Sequence, residues 1–121
     1  MSAEYNIVTG DYRLDGWKIV KDPYTGMTRA EKVVTVTYAS GGVTISIPFL
    51  RFIKNVKVVD QTKKNSVKRV EVSVTNPPDA TPPQIKVVIY ESTKADTSTG
   101  DLIWDEAPAE DRELYILVEG V

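Results

Sequence analysis

The chain has 121 residues, 15 Lys and Arg against 17 Asp and Glu, and neither cysteine nor histidine. Without cysteine there is no disulfide framework, thiol nucleophile, iron–sulfur site or Cys-ligated zinc. Without histidine the commonest general base, the commonest zinc ligand and every Ser-His-Asp triad are gone, and a net charge of −2 predicts no general attraction to nucleic acid or anionic lipid. A non-enzymatic protein without a cofactor is the expectation. No apolar run approaches the roughly 20 residues that span a bilayer. The N-terminus lacks the basic start and apolar stretch of a secretory signal, so a soluble protein made in the cytoplasm, or inside a host cell, is expected. The length fits one domain over residues 1–121, with 1–32 as an additional hairpin or an N-terminal arm.

Strands dominate the pattern in chain order. Residues 17–21 read as a strand, and Asp22-Pro23-Tyr24-Thr25-Gly26 as a turn. Residues 33–38 are β-branched and aromatic, which suits a strand. Ser40-Gly41-Gly42 then offers a tight hairpin turn into 43–47, where Val43, Ile45 and Ile47 alternate with Thr44 and Ser46. Pro48 ends that strand, residues 49–53 form a short helical turn or a bend, and a strand resumes over 53–59 with Ile53, Val56 and Val58 toward the core. A polar turn at 61–66 leads to 67–75, where Val70, Val72 and Val74 alternate with polar residues. The loop 76–83 holds four prolines and predicts a stiff, extended surface segment. Residues 85–90 and 114–118 are apolar on both faces, as in strands that are central or covered by another layer. Between them lies a long polar stretch, 93–111, interrupted by Leu102-Ile103-Trp104. The sum is an all-β, antiparallel β-sandwich or β-barrel of about seven or eight strands with long polar loops.

Few residues suggest chemistry. The acid pairs Asp105/Glu106 and Glu110/Asp111 could serve a glycosidase, but they share one loop and no sugar cleft is signalled. Asp96, Thr97, Thr99, Asp101 and Asp105 offer oxygens that Ca²⁺ could use, although the EF-hand spacing is not met. The basic residues near Phe49 and Phe52 would suit single-stranded nucleic acid in an OB-like barrel. Core phenylalanines, and lysines that guard a sheet edge, explain the same residues more simply. Trp17 and Trp104 each stand alone, which favours packing on the core over a carbohydrate platform.

Charge is unevenly distributed. Residues 51–69 carry seven cations and one acid, and residues 96–113 carry seven acids and one base. A basic segment meeting the acidic loop of a neighbouring copy would close a head-to-tail ring, most simply a trimer. The order of elements from residue 33 resembles the small β proteins of tailed-phage and related virus particles, among head decoration (cement) and minor capsid proteins. The features that carry it are the Gly-Gly turn, the strand ending at Ile47-Pro48, the segment 49–59, and the closing Val118-Glu119-Gly120-Val121. The resemblance implies a virion protein on the capsid surface, binding the major capsid protein and stabilising the shell. A tail or baseplate component is the alternative in the same class. Candidate interface residues are the basic Lys54, Lys57, Lys63 and Lys64, the loop prolines Pro77, Pro78, Pro82 and Pro83, and the acidic-loop residues Asp101, Trp104, Asp105 and Glu106.

Overall fold

The computed structural model describes residues 3–6, 11–64, 66–79 and 81–121. Positions 1, 2 and 7–10 of the expected N-terminal hairpin or arm, Asn65 of the polar turn and Ala80 of the proline-rich loop lie outside the described residues. The fold is all-β, with ten strands and no helix among the described residues: β1 (Ala3–Asn6), β2 (Asp11–Leu14), β3 (Trp17–Lys21), β4 (Thr28–Tyr38), β5 (Val43–Ser46), β6 (Ile53–Asp60), β7 (Val67–Thr75), β8 (Gln84–Ser92), β9 (Asp105–Glu106) and β10 (Glu110–Gly120). The count exceeds seven or eight because of β1, β2 and the two-residue β9.

The strands form two antiparallel sheets. One has six strands in the order β1-β2-β3-β4-β10-β6; the other runs β5-β8-β7, with β9 also paired to β8. Neither sheet closes on itself, so the barrel alternative is not the architecture. β1 and β2 pair with each other and continue through β3 into the larger sheet. The two strands that are apolar on both faces are central: β10 lies between β4 and β6, and β8 between β7 and β5. The inward residues Leu114, Ile116 and Val118 of β10 and Ile85, Val87 and Ile89 of β8 are buried in one cluster with Trp17, Ile19, Ala30 and Ile47.

One expected connection differs. The Ser40-Gly41-Gly42 turn is tight, with Gly42 N–H donating to the Ala39 carbonyl at 3.0 Å, but it does not make a hairpin. β4 belongs to the larger sheet and β5 to the smaller, so the turn crosses between layers. Gly42 permits this: its φ is +108°, and an added Cβ would lie 2.7 Å from the Val87 carbonyl oxygen. The segment after Pro48 is a turn and bend, closed by Leu50 N–H to the Ile47 carbonyl. It folds over the larger sheet, where Phe49 meets Trp17 edge-on with centroids 5.4 Å apart. Trp17 therefore packs on the core, as expected, whereas Phe52 is 47% exposed and does not.

Candidate partner interface

The outer face of the six-stranded sheet is built by the residues that alternate with the core. In β10 these include Glu113, Tyr115 and Leu117; in β4, Glu31, Val33 and Thr35; in β6, Lys57 and Val59. Register places Val33, Tyr115 and Val59 side by side in one row across three strands. Leu117 lies in the next row, between Glu31 and Lys57. Val33 is 56% exposed and Val59 40%. The Tyr115 hydroxyl donates to Glu31 Oε2 at 2.6 Å, and this hydrogen bond raises the tyrosine's pKa above its ordinary value. The result is a row of two exposed valines flanking the half-buried Tyr115, with charged neighbours around it. No other layer covers it among the described residues.

At one end of the core, the interior turns ionic. Arg112 sits at an inward position of β10 and is fully buried. Its Nη1 donates to Asp60 Oδ2 at 3.1 Å and contacts the Glu91 carboxylate. Nη2 lies 2.6 Å from Glu110 Oε1, a charge contact without hydrogen-bond alignment. Lys64 joins from the β6–β7 connection, 2.5 Å from Glu110 and 3.4 Å from Glu91. The Lys64 ammonium holds the Glu110 carboxyl below the usual carboxylate range, and Glu110 in turn pushes Lys64 up.

The basic and acidic segments thus meet inside one chain. Lys64 pairs with Glu110, and Arg69 stacks over Tyr90 at 4.8 Å and Trp104 at 5.1 Å. Trp104 covers the outer side of the smaller sheet and is not pinned to the core. Glu106 is tied internally as well: it accepts from the Tyr38 hydroxyl at 2.8 Å, from Gly41 N–H at 2.7 Å and from the Ser40 hydroxyl at 3.2 Å. Tyr38 first, then Gly41, holds its carboxyl below the ordinary range.

The remaining interface candidates fall in separate places. Lys54 and Lys57 are exposed on β6, the edge of the larger sheet, and Lys63 is exposed in the connection to β7. Pro77 is half-buried, and Pro78 and Pro82 are exposed. Pro83 is fully buried and its carbonyl accepts from Ile47 N–H at 2.9 Å, so it belongs to the core and not to a contact surface. Asp101 and Asp105 are exposed in the acidic stretch. The oxygens considered for calcium do not converge: Asp96 Oδ1 accepts from Ser98 N–H and from the Ser98 hydroxyl of its own turn at 2.7 and 2.6 Å. No group of three or more acids able to hold a metal ion forms among the described residues. Of the twelve candidates, only Lys57 lies in the rows of the exposed apolar face. Val33, Val59 and Tyr115 were not singled out from sequence, although the two-faced apolar pattern of 114–118 signalled a covering layer.

Compared with known proteins, the chain matches no family model, no curated protein and no solved structure.

Proposed function

We propose that this chain is a non-enzymatic β-sandwich protein of the virus particle, a decoration or cement protein that lays its six-stranded sheet against the outer surface of the major capsid shell. The observation that carries the reading is the Val33–Tyr115–Val59 row, two exposed valines flanking a half-buried tyrosine on the outer face of the β4-β10-β6 end of the larger sheet. A central strand that is apolar on both faces buries one face in its own core and keeps the other for a second layer. On a particle, shell subunits supply that layer. The surrounding Glu31, Lys57 and Glu113 would fix orientation at the rim, as polar rims do. The ionic end of the core stiffens the scaffold and leaves less charge for bridging copies than the two charged segments suggest.

Cosedimentation with purified particles tests this. The protein should attach and stay attached as salt is raised, because the contact is mainly apolar. Binding to single-stranded nucleic acid, the reading from another class, would weaken steeply with salt. Val33→Asp changes an exposed side chain and should weaken attachment by about tenfold or more without unfolding the protein, since it places a desolvated charge in the contact. Wild-type protein that never pellets with particles contradicts the reading.

A further inference from the structure

We infer that a second copy of this chain pairs with it, strand to strand, along the open edge of β7, making a two-fold dimer with one continuous smaller sheet. β7 is nine residues long and bonds β8 along its whole length on one side. On its other side it forms no strand ladder among the described residues, although β6 of the larger sheet approaches it at the corner of the sandwich. Such an edge presents a row of unpaired N–H and C=O groups, and proteins usually blunt it. The other edges described with side chains are blunted. β6 exposes Lys54 and Lys57 and is irregular where it meets Glu119 and Gly120, and β5 has only four residues before Pro48. β7 carries Lys68 and Arg69 but balances them with Glu71, contains no proline and no irregular register, and leaves Val67 and Val74 near its ends 53% and 39% exposed.

Its charges choose the partner and the register. Two antiparallel copies related by an axis perpendicular to the sheet must be centred on a residue, because opposite residues share a face. Centred on Val70, Arg69 of each copy lies opposite Glu71 of the other, and Val67 lies opposite Ser73. Centred one residue earlier, Arg69 meets Arg69; one residue later, Glu71 meets Glu71. Like charges directly opposite are destabilising, so both neighbouring registers are disfavoured and one is selected. Arg69 and Glu71 are 47% and 56% exposed on the outer face and lie 3.4 Å apart within one chain, an ion pair that the opposite copy would extend across the axis. The same axis leaves both six-stranded sheets facing one side. This last consequence rests on the capsid reading: a dimer would present two docking faces to a shell at once.

The dimer is tested on the purified protein, with no particle present. Sedimentation equilibrium should show a concentration-dependent dimer of micromolar strength, as a small edge contact gives. Glu71→Arg places like charges opposite and should raise the dissociation constant by about tenfold or more. The chain has no native cysteine, so a single introduced one reports the register. Val70→Cys sits on the axis, where opposite Cα atoms lie about 4.5–5.5 Å apart, and should form an intermolecular disulfide on mild oxidation. Ser73→Cys would sit about 20 Å from its copy and should not. A monomer at every concentration, an unchanged constant in Glu71→Arg, or cross-linking at Ser73 as fast as at Val70 would each overturn the proposal. Failure of the dimer leaves particle attachment by a single copy intact, and failure of attachment leaves the dimer measurable.

Discussion

Tyr38 fills a gap in the smaller sheet. β5 covers one side of β8 as far as Val87, and β9 resumes at Tyr90. The Ile89 N–H between them donates to the Tyr38 hydroxyl at 3.1 Å, and that hydroxyl donates to Glu106. Tyr38→Phe leaves a buried N–H without a partner, which costs about 1–3 kcal/mol; urea unfolding should show a lower midpoint with an unchanged slope. Arg112 has larger consequences. Arg112→Met removes the cation facing Asp60, Glu91 and Glu110, and leaves buried carboxylate charge uncompensated. The expected loss is about 3–5 kcal/mol. Restoration of wild-type stability by adding Asp60→Asn alone would contradict this assignment, because Glu91 and Glu110 would still have lost one of their two cations and would share Lys64 alone.

At the scale of elements, two glycines let strands approach where a side chain has no room. Gly120 breaks the register between β10 and β6, and a Cβ there would fall 2.0 Å from the Phe52 carbonyl oxygen. Val121 beside it accepts from Arg51 and Phe52 N–H at 2.7 and 3.1 Å, so Gly120→Ala should both destabilise and loosen the end of β10. Overpacking of this kind costs about 1–3 kcal/mol or more; amide exchange at Phe52 and Val121 should speed up beyond what the global change accounts for. The element positions were largely legible, because period-2 alternation in 43–47 and 67–75 marks strands wherever they end up. Which sheet each strand joins was not. Gly41-Gly42 reads the same in a hairpin and in a crossing between layers, and only the approach to Val87 distinguishes them. Asn76 is another device without a sequence signature: its side-chain amide pairs with both the N–H and the C=O of Ile53, standing in for a strand neighbour. The docking face was half legible. Tyr115 and Leu117 disclosed that β10 is apolar on both sides, but Val33 and Val59 join them only through register. The charge segments misled in a specific way: separation in sequence suggested two surfaces, and the fold brings Lys64 onto Glu110 within one chain.

At the scale of the whole molecule, ionisation sets a broad stability plateau. Glu106 and Glu110 have carboxyls held below their ordinary 4.5 by Tyr38 and Lys64, so the stability they add is present above that value and is lost as pH falls through their lowered values. Tyr38, kept neutral mainly by desolvation, and Tyr115, by Glu31, are raised above 10.0, and Lys64 above 10.5. Their contribution is present below those values and is lost as pH rises through the raised ones. With no histidine or cysteine between, the thermal midpoint should be flat from about pH 6 to 9 and fall on both sides. Glu106→Gln should shallow the acid limb. A midpoint that changes steeply near neutrality would contradict this assignment of charges. For the proposed attachment, the most direct measurement is imaging of purified particles with and without the chain at a resolution that places strands. The expected result is density on the outer shell, present only when the chain is present, with the Val33–Tyr115–Val59 row against a capsid subunit. A shell that looks the same in both preparations, or density confined to the tail, would contradict it.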